Sequence, residues 1–144
     1  MFANPSLITR IAIAKAVGFL AGLAGFFMMP AVFGETDLMV RWAFVFWYTT
    51  VGAFIGVFGV MTWHPVLKLP MPWWFRSAFI GAWMNFLLTL FIYERMQGYM
   101  DALFGQDGLL SSPFWFVSEG VLIGLLMGYL ATRFGGEGKA TVDR

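Results

Sequence analysis

The stretch PFWFVSEGVLIGLLMGYLATRF, residues 113–134, is apolar over most of its length and carries a single acid, Glu119. A helix needs about 20 mostly apolar residues to cross the roughly 30 Å of hydrocarbon in a lipid bilayer. Ser112 is a suitable N-cap, and Pro113 suits a first helical turn, where the amide hydrogen that proline lacks would have no partner. These features predict a membrane-spanning helix.

Three more stretches meet the same criterion, so the predicted helices cover about residues 5–33, 40–62, 72–104 and 113–134. The composition agrees, because 60% of the residues are hydrophobic and only 12% are charged, far from the balance of a soluble domain. The sequence therefore predicts an all-α polytopic membrane protein. It forms a single domain over residues 1–144, with four transmembrane helices in a compact bundle.

The third predicted helix is too long for a simple crossing. Its helical period continues through Tyr93, Met96 and Met100 to a natural stop at Gly105. At 1.5 Å per residue such a helix is about 48 Å long, so it must project from the membrane, tilt strongly or bend. We expect the extra turns to be amphipathic and to rest among the lipid headgroups.

The basic residues predict the orientation, since Lys and Arg are retained on the cytoplasmic side of short loops. If the four helices alternate in direction, only Arg41 and Arg95 fall on one side. The other side holds Arg10, Lys15, Lys68, Arg76, Arg133, Lys139 and Arg144. Both termini are therefore predicted to be cytoplasmic, in a multi-pass protein that would suit a bacterial inner membrane.

Glycines recur at helical spacing in all four stretches, where they would let neighbouring backbones approach closely. The predicted packing positions are Gly18, Gly22, Gly25, Gly52, Gly56, Gly59, Gly81, Gly120, Gly124 and Gly128. The second and fourth stretches also resemble each other, since FWY at 46–48 and FWF at 114–116 both precede a Gly-x-x-Ile-Gly pattern at an offset of 68 residues. Two duplicated helical hairpins and a coincidence of common membrane motifs both remain open.

Glu119 is the most informative polar residue, because it lies about 10 Å inside the fourth helix by its position in the sequence. An acid at that depth must face protein or water, and such acids mark functional sites by default. It serves as a proton- or ion-binding group or as a structural acid. The polar residues predicted to accompany it are Asn85, Thr49, Thr50 and Ser118.

Glu119 also lies away from the glycine face of its helix, so that helix is expected to contact protein or a water-filled cavity on two sides. Thioethers select Cu(I), and Met28, Met29, Met96 and Met100 are expected near one membrane surface. Methionine is also ordinary apolar filler, and His64 has no second ligand, so no metal site is predicted.

The sequence argues against several classes of function. The net charge of +1, without a basic patch, argues against nucleic-acid binding. No cysteine, catalytic triad or nucleotide-binding glycine pattern is present, so neither an enzyme nor a cofactor is predicted. The leading prediction is a non-enzymatic membrane subunit in the lipid bilayer, either a homo-oligomer or an accessory subunit of a larger membrane complex. The alternative is a proton- or ion-linked small transporter that uses Glu119, and a third possibility is a site for a lipid or hydrophobic molecule between aromatic faces.

Overall fold

The computed structural model describes residues 4–142, which are helical and contain no β-strand. The helices are α1 (Leu7–Val32), α2 (Leu38–Val57), α3 (Trp73–Phe91), α4 (Tyr93–Phe104) and α5 (Phe116–Gly135), with single 3-10 turns at Phe58–Val60, Pro113–Trp115 and Lys139–Thr141. Helices α1, α2 and α5, the latter two with their adjoining 3-10 turns, are each long and apolar enough to cross a membrane. The pair α3 and α4 meets that test jointly, so three to four helices could span a bilayer.

The helix bounds differ from the predicted ones by a few residues. Helix α1 begins at Leu7 because the side chain of Ser6 accepts a hydrogen bond from the amide of Thr9 at 3.3 Å. Helix α2 tightens into a 3-10 turn after Val57. Ser112 is confirmed as an N-cap, since its hydroxyl accepts from the amide of Phe114 at 3.3 Å.

The continuous helix predicted over 72–104 is broken in the structure, and bending is the way in which the chain accommodates its length. Ile92 leaves the helical conformation, with φ −123° and ψ 39°, and α4 turns by 102° relative to α3. The turn buries Met96, Tyr99 and Met100 against the core while Glu94 stays exposed. Burial of this apolar face accounts for the bend, because a straight helix would leave it outside the protein.

The helices form two closely packed pairs, α1 with α2 and α3 with α5. A β-carbon on Gly52 would overlap the carbonyl group of Ala14, and one on Gly120 would overlap that of Gly81. Nine of the ten predicted packing glycines have such a close neighbour. Gly25 differs, because a β-carbon there would meet nothing within 4 Å. The glycine faces are therefore largely used within the chain.

One end of the molecule gathers the start of α1 and the end of α5, and we call it the terminal end. The amide of Ser6 donates to the carbonyl of Gly135 at 2.8 Å, and the amide of Gly138 donates to Gly59 at 2.8 Å. Arg76 at the start of α3 forms an ion pair with Glu137 at 2.5 Å. Helix α4 follows the opposite end of α3, which we call the α4 end.

Arg10 is the most deeply buried charged residue of the described chain, at 1% exposure. Its guanidinium group donates to the carbonyl of Gly56 at 3.1 Å, to the hydroxyl of Thr132 at 3.0 Å and to the carbonyl of Gly136. Gly59 leaves room for it, since a β-carbon there would overlap the guanidinium. Arg10 thus joins α1, α2 and the end of α5, a role that counting basic residues did not reveal.

Pro30 in α1 has a specific partner across the helix pair. Because proline has no amide hydrogen, the carbonyl of Phe26 loses its helical donor. Arg41 of α2 replaces that donor through two guanidinium nitrogens, at 2.8 and 2.7 Å from the Phe26 oxygen. The same guanidinium lies 4.0 Å from the centre of the Phe26 ring. Arg41 therefore satisfies the backbone at the proline instead of serving as a free surface charge.

Candidate functional site

A cavity of about 540 Å³ lies beneath α4, bounded by α1, α2, α4 and α5. Apolar and aromatic side chains, such as those of Phe44 and Phe116, form most of its wall. The part of the wall that α1 contributes includes the small residues Ala21 and Gly25. The volume falls within the roughly 300–1,000 Å³ of typical small-molecule sites, which are likewise mostly apolar with a few polar groups. The cavity is therefore large enough for a small organic ligand.

Helix α4 covers this cavity. Met96 and Met100 face into it and are buried, whereas Leu103 and Phe104 are exposed at its rim, together with Trp115. A cover held by one amphipathic helix at a bend can move with little loss of buried surface elsewhere. The rim and the cover together define the route by which a molecule would reach the cavity.

Three residues fasten α4 to the loop between α1 and α2. The Glu35 carboxylate, only 9% exposed, accepts a hydrogen bond from the Tyr99 hydroxyl at 2.7 Å and forms an ion pair with Arg95. Burial, and then the neighbouring Glu35, raise the pKa of Tyr99, so its hydroxyl stays protonated and keeps donating. The hydrogen bond to Glu35 likewise raises the pKa of Arg95.

Replacing Glu35 with glutamine should loosen α4. The variant loses the ion pair to Arg95 and weakens the hydrogen bond from Tyr99. A hydrogen bond to a charged group contributes about 1.5–3 kcal/mol. A loss at the lower end of this range would raise the fraction of molecules with α4 detached about tenfold. Because the natural chain has no cysteine, Met100→Cys provides a single reporter facing the cavity. A small maleimide should alkylate this cysteine about tenfold faster when the chain also carries Glu35→Gln than when Glu35 is kept. Unchanged alkylation would contradict the role of Glu35.

Glu94→Gln is the matched control for that measurement, because Glu94 is an exposed acid of α4 that does not line the cavity. It removes one negative charge from α4 and leaves the contacts of Glu35 with Tyr99 and Arg95 intact. The reporter at position 100 should be alkylated at the wild-type rate in this control.

Glu119 lies in the first turn of α5 and is exposed at the cavity wall. The positive end of the α5 dipole favours a negative charge at this position. The hydroxyl of Tyr48 lies next to the carboxyl group, and Tyr48 also lines the cavity. The prediction that α5 is contacted on two sides agrees with this geometry, since Gly120 packs on α3 while Glu119 faces the cavity.

Asn85 stands behind this site and does not line the cavity. It is fully buried and donates through one nitrogen to the Tyr48 hydroxyl at 3.2 Å and the Phe116 carbonyl at 3.1 Å. Its oxygen accepts from the indole of Trp47 at 3.1 Å. Asn85 therefore orients Tyr48, and it reaches Glu119 only through that residue.

The other predicted polar residues bond to their own helices. Ser118 lines the cavity, but its hydroxyl donates to the carbonyl of Trp115 at 2.5 Å. Thr49 and Thr50 donate to carbonyls four residues earlier, each at 2.8 Å, and neither lines the cavity. The structure thus brings Ser118 and Glu119 together, connects Asn85 through Tyr48, and leaves Thr49 and Thr50 apart from the site.

Four of the ten methionines line the same cavity, namely Met28, Met29, Met96 and Met100. Their thioethers give the wall a flexible, polarizable surface. Across residues 4–142 no group of three or more His, Asp or Glu side chains could hold a metal ion. His64 stabilises a turn, since its ring accepts from the amides of Val66 and Leu67 at 3.2 and 3.0 Å.

The chain matches no protein-family model, and no curated protein or solved structure is significantly similar to it. The class of protein therefore rests on the chain's own geometry. It is an all-helical protein with three to four helices that are long and apolar enough to cross a membrane. Its distinguishing feature is a largely apolar cavity with a carboxyl group in its wall.

Proposed function

We propose that this chain is a non-enzymatic membrane protein that binds an apolar small molecule in the cavity beneath α4. The observation that carries the proposal is the cavity itself, about 540 Å³ of mostly apolar space reaching from the exposed rim to Glu119. A bundle used only for packing would fill this space with side chains, since unfilled apolar volume is destabilising. A bound ligand would supply the missing contacts.

The proposed topology has four crossings, with α4 on the outer surface and both termini in the cytoplasm. Helix α3 alone has 19 residues, about 28 Å at 1.5 Å per residue, which approaches the thickness of the hydrocarbon. The joining of Ser6 to Gly135 supports an even number of crossings. The excess of basic residues near the terminal end supports the cytoplasmic side for that end.

Transport by way of Glu119 is the second candidate, because the same cavity would serve as one half of a pathway. The terminal end is occupied by Arg10 and by the ion pair of Arg76 with Glu137, so a second conformation would have to separate these groups. Assembly as a homo-oligomer or accessory subunit is a weaker proposal. The glycine faces that favoured it, such as that of Gly120, are already covered by α3.

Filling the cavity should abolish binding. Gly25 lines the cavity, and a β-carbon there would meet nothing within 4 Å. Gly25→Phe should therefore place a ring in the cavity without a backbone clash. We expect photolabelling by neutral 4-methylbenzophenone, with the protein in lipid nanodiscs, to fall about tenfold, as for a loss of about 1.4 kcal/mol of binding free energy. The labelled fraction is measured by intact-protein mass spectrometry.

Gly98→Phe is the matched control for that substitution. Gly98 also has nothing within 4 Å of its β-carbon, but it does not line the cavity. Labelling of this control should equal that of the wild type. Equal labelling of the Gly25 and Gly98 variants would instead mean that the probe attaches from the lipid, and it would overturn the proposed function.

A further inference from the structure

The charges around the cavity are unbalanced. Glu119 is the one carboxylate among the cavity-lining residues of the described chain, and those residues include no Lys, Arg or His. The nearby guanidinium groups have other partners, since Arg95 binds Glu35 and Arg41 binds the carbonyl of Phe26. A carboxylate beside an apolar space loses part of its hydration, and a cation bound in that space would compensate for this loss. No described residue supplies a positive charge from within the cavity.

Four aromatic rings line the same cavity as this acid. The rings of Tyr48 and Phe116 lie 6.5 Å apart between centroids, Phe44 lies 6.0 Å from Phe116, and Phe44 lies 6.4 Å from Tyr99. All four residues line the cavity. Aromatic faces attract cations whose charge is diffuse and weakly hydrated, of which alkylated ammonium groups are the standard ligands.

The kind of cation follows from the rest of the wall. A small, strongly hydrated ion would need several oxygen ligands to replace its water. The wall offers the carboxylate of Glu119 and the hydroxyls of Tyr48, Tyr99 and Ser118 among mostly carbon atoms, and the last two hydroxyls already bond to Glu35 and to the carbonyl of Trp115. An organic cation loses less hydration and buries its carbon atoms at the same time. Its apolar part would lie against Met28 and Met100, with the charge directed at Glu119.

We propose that the ligand of this cavity is a lipophilic organic cation, whose alkylated ammonium group pairs with Glu119 and lies against the aromatic rings. This inference rests on the proposed function, because it names the ligand of the same cavity. It adds a prediction of charge preference that shape and hydrophobicity alone do not make.

Three matched photoprobes test the charge preference: 4-methylbenzophenone and its derivatives with a trimethylammonium or a sulfonate group on the methyl carbon. Each is added to the protein in phosphatidylglycerol nanodiscs, and attachment to cavity peptides is measured by mass spectrometry. We expect the cationic probe to label with at least about tenfold higher apparent affinity than the anionic one. Because phosphatidylglycerol itself concentrates cations at the membrane surface, Glu119→Gln should lower this preference about tenfold without abolishing it. Labelling by the neutral probe should persist, which also shows that the variant is folded.

Glu94→Gln is the control, as an exposed acid on α4 outside the cavity wall. It should keep the full preference, which separates pairing at Glu119 from general surface charge. If the neutral probe labels the cavity but charge has no effect, or if Glu119→Gln leaves the preference at its wild-type value, the inference is overturned and the proposed function stands. If none of the probes labels the cavity, the proposed function itself fails.

The alkylated ammonium group could belong to a membrane lipid or to a free small molecule, and the lipid composition separates these sources. The ratio of cationic labelling in the wild type to that in Glu119→Gln is compared between the two lipids, because the surface charge of the lipid cancels in this ratio. In phosphatidylcholine nanodiscs, a headgroup ligand would compete with the cationic probe and lower the ratio. An unchanged ratio would identify a free molecule as the ligand. Each of these two results supports the proposal, provided that the preference depends on Glu119.

Discussion

Replacing Gly120 with alanine is expected to destabilise the protein by about 1–3 kcal/mol, the usual cost of forcing extra volume into a packed core. The added β-carbon would overlap the backbone carbonyl of Gly81 and lie 2.8 Å from the side-chain carbon of Asn85. Neither neighbour can move freely, because one is helix backbone and the other is fixed by hydrogen bonds to Tyr48 and Phe116. Helices α3 and α5 would have to separate.

The measurement is the free energy of unfolding in detergent, with Gly98→Ala as the matched control. Both positions are helical glycines, but a β-carbon at Gly98 meets nothing within 4 Å. The control should be neutral or more stable by up to about 1 kcal/mol, because alanine favours the helix. If both variants gain stability alike, the close packing of α3 on α5 is contradicted.

Replacing Arg10 with methionine is expected to cost about 3–5 kcal/mol. Removing a buried charge can be neutral when a hydrophobic side chain replaces a complete ion pair. Here the partners are backbone carbonyls and a hydroxyl. The carbonyl of Gly136 and the hydroxyl of Thr132 would lose their donor, whereas the carbonyl of Gly56 keeps the amide of Phe58. Each unsatisfied group costs about 1–3 kcal/mol, so this loss exceeds the relief from removing the charge.

Lys139→Met is the control, because it removes an exposed basic residue from the same end of the molecule. Its free energy of unfolding should lie within about 0.5 kcal/mol of the wild type. In Arg10→Met the segment after Gly135 should also become sensitive to protease, since Arg10 binds the Gly136 carbonyl. Wild-type stability together with an intact segment would show that Arg10 does not join the helices.

The sequence predicted the features that depend on local composition and spacing. Apolar length gave the candidate spans, Ser112 marked a helix start, and glycines such as Gly52 and Gly120 marked close contacts. The break at Ile92 had no such signal, because no proline or glycine interrupts Phe91, Ile92 and Tyr93. It arises from burial of the apolar face of α4 on the core, which is a tertiary effect.

The site was predictable only in part for a related reason. An acid within an apolar stretch pointed to Glu119, which lines the cavity. Thr49 and Thr50 lie apart from it, because a hydroxyl can bond to its own helix as easily as to a neighbour. The partners that matter, Tyr48 at the acid and Glu35 at the cover, depend on how α4 folds over the cavity. Spacing along the sequence does not contain that information.

The central claim is that the space beneath α4 holds an apolar ligand, and the attachment sites of the neutral benzophenone on wild-type protein test it most directly. Peptide mass spectrometry should locate the label on cavity-facing residues of three helices, such as Met28, Met100 and Ile123. Competition by an unreactive analogue should remove it. Label found instead on the outward aromatic residues of α3, such as Phe79 and Trp83, with the cavity residues unmodified, would contradict the claim.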